Sequence, residues 1–561
     1  MPNAAIYFHP EGYVTARKDL KGRHVAGESF LGGFFRHSGV AEFVCHADSP
    51  ALAAMFMEMA ERFAPGRPAK LIPTAQIERL GEVGCLFLPG PGIETFAWQR
   101  RRVGQKAYSL CGITHTTSES PQLFGSWVTA PVQPWDAVIC TSWAARSSVE
   151  AIVRPYAEYL RDRLGATILP LPHLPVIPLG IDTDAFRFDE ATRQAERLRL
   201  GIAGNDVAVL FLGRLSFHAK AHPTAMYLAL QRVAERTGRR IHLIQAGWFG
   251  NEAIAEAFQQ GARRYCPDVN VVFLDGRLPE VRSRVWAAAD LFTSLVDNVQ
   301  ETFGITPVEA MAAGLPGVIT DWNGYRETVR HGIDGFRVPT LLPPPGAGVD
   351  LAERYASGLD TYDYYVGRVS QVTAVDIDAA ATAYERLVSD AGLRRRMGEA
   401  ARAYAIATFD WRVIIPRYLE LWQQLAEIRG QVDESAPWAG AAGSGGAFQA
   451  GPNPLRPDPL AMFASYPTAM LSGGMRLVRA GHASMEALAA LHADPLNSPV
   501  QGVLSPPEDL ALAMDAFAPP LGLTVAAVVA QVPEDRQLRL VRSLVHLLKV
   551  GLLRMAEPLS L

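Results

Sequence analysis

The stretch ETFGITPVEAMAAGLPGVIT, residues 301–320, decides the fold. The apolar run ADLFTSLV precedes it and GVIT ends it, and both predict buried strands. Between them we expect a helix over Pro307–Ala313 that stops at Gly314, because glycine adopts the left-handed conformation of a helix C-cap. Strand, turn, helix and strand in this order are typical of a parallel sheet covered by helices.

Glu309 has two interpretations within this stretch. Thr306 and Glu309 have the spacing of a capping box, with Pro307 at the first helical position, so Glu309 could cap its own helix. In a parallel sheet, however, ligands bind at the carboxyl ends of strands, where helix N-termini attract anions. The turn 301–305 lies at that position. A capping role for Glu309 leaves Glu301 unexplained, and local chemistry keeps both interpretations open.

Length and composition limit the possible classes of protein. A chain of 561 residues is too long for one core, and a formal charge of -4 offers no bulk attraction to nucleic acid or acidic membranes. The five cysteines are scattered without a C-x-x-C pair, which favours a reducing compartment and no metal framework. No apolar run approaches the ~20 residues of a membrane span. We therefore expect a cytoplasmic protein, or one peripheral to the inner face of a membrane.

Alternating strand and helix patterns predict four regions. Residues 1–186 form one doubly wound α/β domain, with strands in AIYF, AEFVCH, GCLFLPG, AVICTS and TILPLPHLPVIPLG. Residues 187–429 repeat the pattern from DVAVLFLG onward and close with a crossing helix near 405–429. Residues 430–459 form a Gly/Ala/Pro-rich flexible linker, and residues 460–561 a helical accessory domain. A cleft between the two α/β domains is the expected ligand site.

Two cations follow the first strand of the second domain. Arg214 comes directly after VAVLFLG, and Lys220 follows six residues later. At the end of a strand, an arginine fork and a lysine point charge can hold a diphosphate, although a solvated basic loop is the alternative. His218 and His222 flank this loop and are expected to be ordinary loop residues, since no metal-ligand spacing accompanies them.

Over roughly residues 1–428 the chain resembles the retaining GT-B glycosyltransferases of family 4. The most specific part is the E-x7-E motif ETFGITPVE, followed by AMAAGLPGVITD. Supporting matches are GRL with a lysine downstream, VIPLGIDTDAF, GITHT, ICTSWAARSSV and FDWRVIIPRYLELW. The resemblance implies a GT-B fold, with two tandem Rossmann-like doubly wound domains facing a cleft. It also implies transfer of a sugar from a nucleoside diphosphate sugar to an acceptor.

The resemblance assigns roles to single residues. It implies that Glu309 binds the ribose hydroxyls of the donor and that Glu301 contacts hydroxyls of the transferred sugar. His115, in GITHT, is implied to lie beside the reacting bond, although it also reads as an ordinary hydrogen-bonded loop histidine. The implied catalytic residues are His115, Glu301, Arg214 and Lys220. The implied donor-binding residues are Arg214, Lys220, Glu301, Thr302, Phe303, Gly304, Ile305, Glu309, Arg277, Leu278 and Gly27.

Three of the donor-binding residues lie away from both the motif and the cation pair. Arg277 and Leu278, in LDGRLPE, belong to a strand end expected to read the base through its backbone. Gly27 is expected to let the backbone approach the donor phosphates and the acceptor. Gly32 and Gly33 are alternatives for that approach, unless the pair only packs helices.

The implied reaction needs neither metal nor cofactor beyond the donor, which we expect to be a UDP-sugar. Fixed cations and dipoles can stabilise the leaving diphosphate, and no Asp-x-Asp-type metal motif accompanies the cleft residues. The acceptor stays open among a glycan, a lipid, a small molecule and a protein. Two alternatives are a non-catalytic nucleotide-sugar-binding or scaffold protein and a GT-B sugar-nucleotide epimerase.

The last helix of the chain shows a separate pattern. Gly551 is expected to end it, and arginines surround its apolar stripe, as in a small helical, winged-helix-like domain. The predicted stripe is Leu538, Val541, Leu544, Val545 and Leu548. We interpret the basic face as solvated and expect no nucleic acid as partner. The tail is expected to bind an acceptor or a partner protein.

Overall fold

The structure is a computed structural model that describes residues 2–14, 22–119, 121–432, 453–500, 502–520 and 522–557. The chain divides into two compact units, Met1–Gly443 and Ser444–Leu561. Of the predicted linker 430–459, residues 433–452 lie outside the described residues, so its flexibility stays a prediction.

Two six-stranded parallel sheets form the larger unit. The first comprises β1 (Ala5–Tyr7), β2 (Phe43–Ala47), β3 (Ala69–Pro73), β4 (Cys85–Phe87), β5 (Ser109–Ile113) and β6 (Ala137–Ile139). The second comprises β7 (Val207–Leu212), β8 (Ile241–Gly247), β9 (Asn270–Asp275), β10 (Leu291–Ser294), β11 (Gly317–Thr320) and β12 (Gly335–Val338). Their strand orders are β3-β2-β1-β4-β5-β6 and β12-β11-β10-β7-β8-β9. In each sheet the strand order therefore reverses beside the first strand, while all strands stay parallel. The predicted tandem of doubly wound GT-B domains is confirmed.

Helices cover both sheets, which explains the continuous apolar strands. In β2, β5 and β8 every residue is buried. The first domain contains α1 (Pro10–Tyr13), α2 (Gly22–His37), α3 (Pro50–Phe63), α4 (Glu94–Arg100), α5 (Pro121–Thr129) and α6 (Trp143–Leu164). The second begins with α7 (Glu190–Arg199), α8 (Thr224–Thr237), α9 (Glu252–Tyr265), α10 (Pro279–Ala288), α11 (Ile305–Ala312) and α12 (Tyr325–Thr328).

A helical hairpin and three long helices complete the larger unit. The hairpin contains α13 (Val349–Ala356) and α14 (Tyr362–Gln371), bracketed by the short antiparallel pair β13 (Thr340–Leu341) and β14 (Ala374–Val375). The long helices are α15 (Ile377–Ser389), α16 (Ala391–Phe409) and α17 (Trp411–Gln431).

Helix α17 returns to the first domain. Trp411, Tyr418 and Trp422 are buried in the core formed by α2, α3 and the first sheet. A Cβ on Gly33 would lie 2.4 Å from the Trp411 ring, and one on Gly180 would lie 2.5 Å from it. Gly33 is therefore a packing glycine, one of the alternatives that its sequence left open.

Some predicted strands differ from the structure. TILPLPHLPVIPLG forms no strand, but runs extended with isolated bridges at His173 and Val176. Its four prolines lack the N–H groups that a central strand must donate. The sequence patterns above do not predict β3, and they include only the end of β5, within the motif GITHT.

The smaller unit is mainly helical, as predicted. It contains α18 (Pro459–Met462), α19 (Met485–Ala493), α20 (Pro507–Ala516), α21 (Val525–Val529) and α22 (Glu534–Lys549). An antiparallel pair, β15 (Leu477–Arg479) and β16 (Leu553–Met555), joins them. No described helix is long and apolar enough to cross a bilayer.

The predicted stripe on α22 is wrong in part. Leu540, Leu544 and Leu547 are buried, whereas Leu538 is 78% exposed and Val545 49% exposed. Apolar residues occupy much of the helix circumference, so periodicity alone did not identify the face that packs against α20 and α21. Gly551 ends the helix region with a φ of 77°, as predicted.

The arginines of α22 contact their own unit. Arg539 donates to the carbonyl of Gly502 at 2.6 Å, and Arg542 to that of Val503 at 2.9 Å. They hold the loop before α20 in place, so the basic face is partly used within the fold.

Candidate functional site

The predicted site residues gather at the carboxyl ends of β7 and β10. These strands pair with each other at the point where the second sheet reverses its order. Gly213 and Arg214 follow β7 directly, and Glu301 begins the turn between β10 and α11. In doubly wound sheets this crevice is the usual ligand position.

Lys220 and Glu301 form an ion pair in this crevice. The Lys220 Nζ lies 2.5 Å from Glu301 Oε2, and the two side chains are 19% and 18% exposed. The amides of Thr302 and Phe303 donate to Glu301 Oε1 at 3.2 and 3.4 Å. Burial alone would raise the pKa of Glu301, but Lys220 and these hydrogen bonds hold it below its usual value. Both partners are therefore charged at neutral pH.

Arg214 lies beside this pair. Its guanidinium donates to the carbonyl of Ala219 at 2.9 Å, which closes the loop between the two cations. A turn in which Ser216 O accepts from Lys220 N at 3.0 Å brings the lysine back toward the arginine. Burial lowers the pKa of Arg214, and the carboxylate of Asp363 in α14 opposes that shift. The loop between the two residues thus delivers both cations to one place.

In the turn 301–304, position 304 has a backbone conformation and surroundings that only glycine can adopt. Gly304 has a φ of 86°, and a Cβ there would lie 1.9 Å from the ring of Tyr325. The Tyr325 hydroxyl shares a hydrogen bond of 2.9 Å with Ser294 Oγ at the end of β10. Asn323 Nδ2 donates to the carbonyl of Glu301 at 3.0 Å. Packing and backbone conformation therefore already require a glycine at position 304, whether or not its backbone N–H contacts a sugar.

The capping interpretation of Glu309 is wrong. Helix α11 begins at Ile305, two residues before the predicted start, with Gly304 as N-cap and no side chain capping it. The left-handed Gly304 turns the chain into the helix early, so Thr306 lies inside the first turn. Glu309 then lies one turn further on, where its side chain has no N-terminal amide to reach.

The carboxyl group of Glu309 is not used by the fold. Among the described residues, no hydrogen bond or ion pair to it is found at contact distance, and the opposite charge that acts on it is that of Arg282 in α10. Burial raises the pKa of Glu309 to about 7, against the opposing charge of Arg282. A partly buried carboxyl group without a structural partner is a candidate ligand-binding group.

His115 follows β5 in the first domain. Its Nε2 lies 2.5 Å from the carbonyl of Pro89. Three residues later, Ser118 Oγ shares a hydrogen bond of 3.0 Å with the hydroxyl of Tyr362 in α14. Tyr362 also lies near enough to Arg214 for their charges to interact. The His115 loop therefore reaches the side of the crevice that holds the cations, while its catalytic role stays a prediction.

The remaining predicted residues lie further out. Arg277 forms a two-point contact with Asp275, from Nε at 3.0 Å and from a terminal nitrogen at 2.8 Å. Leu278 is the N-cap of α10, at the end of the edge strand β9, and is 44% exposed. A Cβ on Gly27 would lie 1.9 Å from the carbonyl of Gly12, so α2 packs on α1 there. Packing explains Gly27, and its role toward the donor stays a prediction.

A cavity of about 320 Å³ lies between the two α/β domains. Arg282 and Asp182 line it together with Trp411, and α2 supplies much of the opposite wall. Sequence reasoning missed Arg282, as well as Tyr325 beneath the turn 301–304. No local sequence pattern identifies either residue, because Arg282 acts on Glu309 and Tyr325 contacts Gly304, which are distant in sequence. Within the described ranges, no group of three His, Cys, Asp or Glu side chains is placed to hold a metal ion.

Comparison with known proteins places homology on the second domain. The family Glyco_trans_1_4, described as "Glycosyl transferases group 1", matches residues 206–356. A D-inositol 3-phosphate glycosyltransferase of Geodermatophilus obscurus is 32% identical over 175 residues, which are 29% of this chain and 36% of that protein. The chain thus spans about a third of the length of that relative.

Two further similarities extend over more of the chain. A GDP-mannose-dependent alpha-(1-6)-phosphatidylinositol monomannoside mannosyltransferase of Mycolicibacterium smegmatis is 27% identical over 283 residues, 50% of this chain and 63% of that protein. The solved structure of Anabaena HepE in complex with UDP aligns over 77% of this chain and 100% of its own, with 16% identity and a TM-score of 0.46.

Proposed function

We propose that the chain is a retaining glycosyltransferase of GT-B family 4. It moves a sugar from a nucleoside diphosphate sugar to an acceptor, without a metal ion. The observation that carries this proposal is the cluster of Arg214, Lys220 and Glu301 at the ends of β7 and β10, with the uncommitted carboxyl group of Glu309 one turn into α11. The homology of residues 206–356 to group 1 glycosyl transferases supports the class of reaction.

The cations serve the leaving group. As the bond between the sugar and the diphosphate breaks, negative charge grows on the phosphate oxygen, and Arg214 and Lys220 stabilise it. The Glu301 carboxylate outweighs the effect of burial and raises the pKa of Lys220, so the lysine stays protonated. Charges fixed before the reaction need no reorganisation during it, and one such contact contributes about 3–4 kcal/mol to the transition state.

The two glutamates serve the donor. Glu301 has carboxylate oxygens that can accept hydrogen bonds from sugar hydroxyls while Lys220 holds its orientation. Glu309, ionised above about pH 7, accepts from the two ribose hydroxyls. The backbone near Leu278 lies at the strand end where the base is expected.

Retention follows from reaction on one face of the sugar. The bond from the anomeric carbon to the phosphate breaks, a bond to the acceptor oxygen forms on the same face, and the departing phosphate takes the acceptor proton. A hydrolase with paired carboxylates fits less well, because Glu301 is held by Lys220 and Glu309 is assigned to a ribose.

We propose a UDP-sugar as donor, with GDP-mannose as the competing candidate because the Mycolicibacterium smegmatis relative is named for it. The test is release of UDP or GDP from UDP-glucose, UDP-N-acetylglucosamine and GDP-mannose, each in the presence of EDTA and cell extract. We expect release with one donor, lowered about 100-fold or more in Arg214→Ala and Glu301→Gln. Proton NMR of the slow hydrolysis product should show the anomer of the donor first.

Three results would contradict the proposal. They are no release with any donor, complete loss of release in EDTA, and an inverted first product. Arg263→Ala is the matched arginine control, because Arg263 is exposed in α9 and lies outside the cation cluster.

A further inference from the structure

Helix α6 of the first domain begins against the turn that carries Glu301. Ser142 is its N-cap and accepts a hydrogen bond from Ala145 N at 3.0 Å. The same hydroxyl donates to the carbonyl of Thr302 at 2.5 Å. Ser142 is fully buried, so this bond is shielded from water. One serine side chain thus caps a helix in one domain and holds the backbone next to Glu301 in the other.

A second contact lies beside the first. The amide of Trp143, in the first turn of α6, donates to Glu327 Oε1 at 2.8 Å. Glu327 belongs to α12 of the second domain and is half-buried. A carboxylate at a helix N-terminus is favoured by the free amides and the helix dipole. The start of α6 is therefore bound twice by the segment 302–327.

The second domain holds the same turn from its other side. Asn323 donates to the carbonyl of Glu301, and a Cβ on Gly324 would lie 2.6 Å from Phe303 Cα. The backbone at Glu301 and Thr302 is thus fixed by one donor from each domain. Moving α6 away would release the bond at Thr302, directly beside the carboxylate that the proposed function assigns to the sugar, but not the bond at the Glu301 carbonyl.

We propose that Ser142 and Glu327 are positioning residues, which hold the Glu301 turn in its reactive orientation only while the two α/β domains are closed on each other. The inference rests on the proposed function for what the turn does, and on the contacts alone for how the turn is held. Separation of the domains breaks both contacts, so Glu301 is correctly oriented only when the crevice is closed.

The test is hydrogen–deuterium exchange of the full-length, ligand-free protein, read at peptides covering residues 301–305. Ser142→Ala and Glu327→Ala should each speed exchange there about three- to tenfold, the change expected from one lost hydrogen bond, while peptides from β7 and β8 stay unchanged. Glu327→Gln should exchange like the wild type, because its amide oxygen still accepts from Trp143. Ser49→Ala removes the N-cap of α3, which makes no contact of this kind, and controls for the loss of a helix cap.

Exchange at 301–305 that is unchanged in both Ser142→Ala and Glu327→Ala overturns the inference. So does equally faster exchange in Ser49→Ala. Where donor hydrolysis is measurable, Ser142→Ala should lower kcat about tenfold with little change in donor KM, and the reverse pattern also overturns it. If no donor is hydrolysed by the wild type, the proposed function fails, whereas the exchange result still decides how the turn is held.

Discussion

At the scale of single residues, charge and burial separate two glutamates that the motif treats alike. Lys220 compensates the buried charge of Glu301, whereas Glu309 carries a carboxyl group that burial destabilises and the fold does not use. The sequence predicted both residues and both cations as site residues. It could not predict the ion pair, because Lys220 and Glu301 are 81 positions apart and only the sheet brings them together.

Glu309→Gln should change stability in a pH-dependent way. Burial raises the pKa of Glu309 from 4.5 to about 7, so the folded chain keeps a proton that the unfolded chain has lost between these values. The protonated Glu309 carboxyl group therefore makes its full contribution to the free energy of unfolding below about pH 4.5. This contribution is lost as the pH rises through 7. Glutamine stays neutral throughout.

The difference in Tm, variant minus wild type, should be near zero at pH 5 and positive at pH 8 in differential scanning fluorimetry. Asp297, whose pKa burial also raises to about 7, is present in both proteins and cancels. A variant that is less stable at pH 8 would show that the carboxylate has a structural partner.

At the scale of elements, the turn before α11 shows what local patterns miss. Helix, strands and the left-handed Gly314 were all predicted from local chemistry, and the structure contains them. The predicted start of this helix was wrong because a capping box is a local signal. The position of Gly304 depends instead on Tyr325, which lies 21 residues later. Tertiary contact with that ring decides where the helix begins.

Gly304→Ala should therefore destabilise the protein by about 3 kcal/mol, since it combines a left-handed backbone with a clash. Gly314→Ala is the matched control. Gly314 has a φ of 76°, but its nearest obstacle, the Gly398 carbonyl, would be 3.9 Å from the new Cβ. In urea denaturation, Gly314→Ala should lower the free energy of unfolding by only about 1 kcal/mol. Equal losses in the two variants would mean that the Tyr325 ring moves aside.

At the scale of the whole molecule, the chain contains separate cores. The core of the smaller unit consists of residues between 477 and 553, and none of them belongs to the cores of the α/β domains. Composition predicts a helical C-terminal region, which the structure contains, while the predicted domain bounds stay a prediction. The sequence patterns could not predict that α17, late in the chain, completes the core of the first domain, because aromatic spacing does not reveal a helix's partner.

Calorimetry of the full chain should show two unfolding transitions. A chain that ends at Val432 should keep the transition of the larger unit within about 2 °C, because no core residue of that unit has been removed. A single transition, or a large fall in the Tm of the shortened chain, would show that the residues after 452 stabilise the α/β domains.

The crevice at β7 and β10 is proposed to bind a nucleoside diphosphate through Arg214, Lys220 and Glu309, and a crystal structure of the protein with UDP tests this binding mode. We expect the diphosphate within hydrogen-bonding distance of Arg214 and Lys220, and both ribose hydroxyls within about 3.2 Å of the Glu309 carboxylate. A diphosphate bound at Arg282 in the cavity facing α2, with Glu309 left without a ligand, would contradict it.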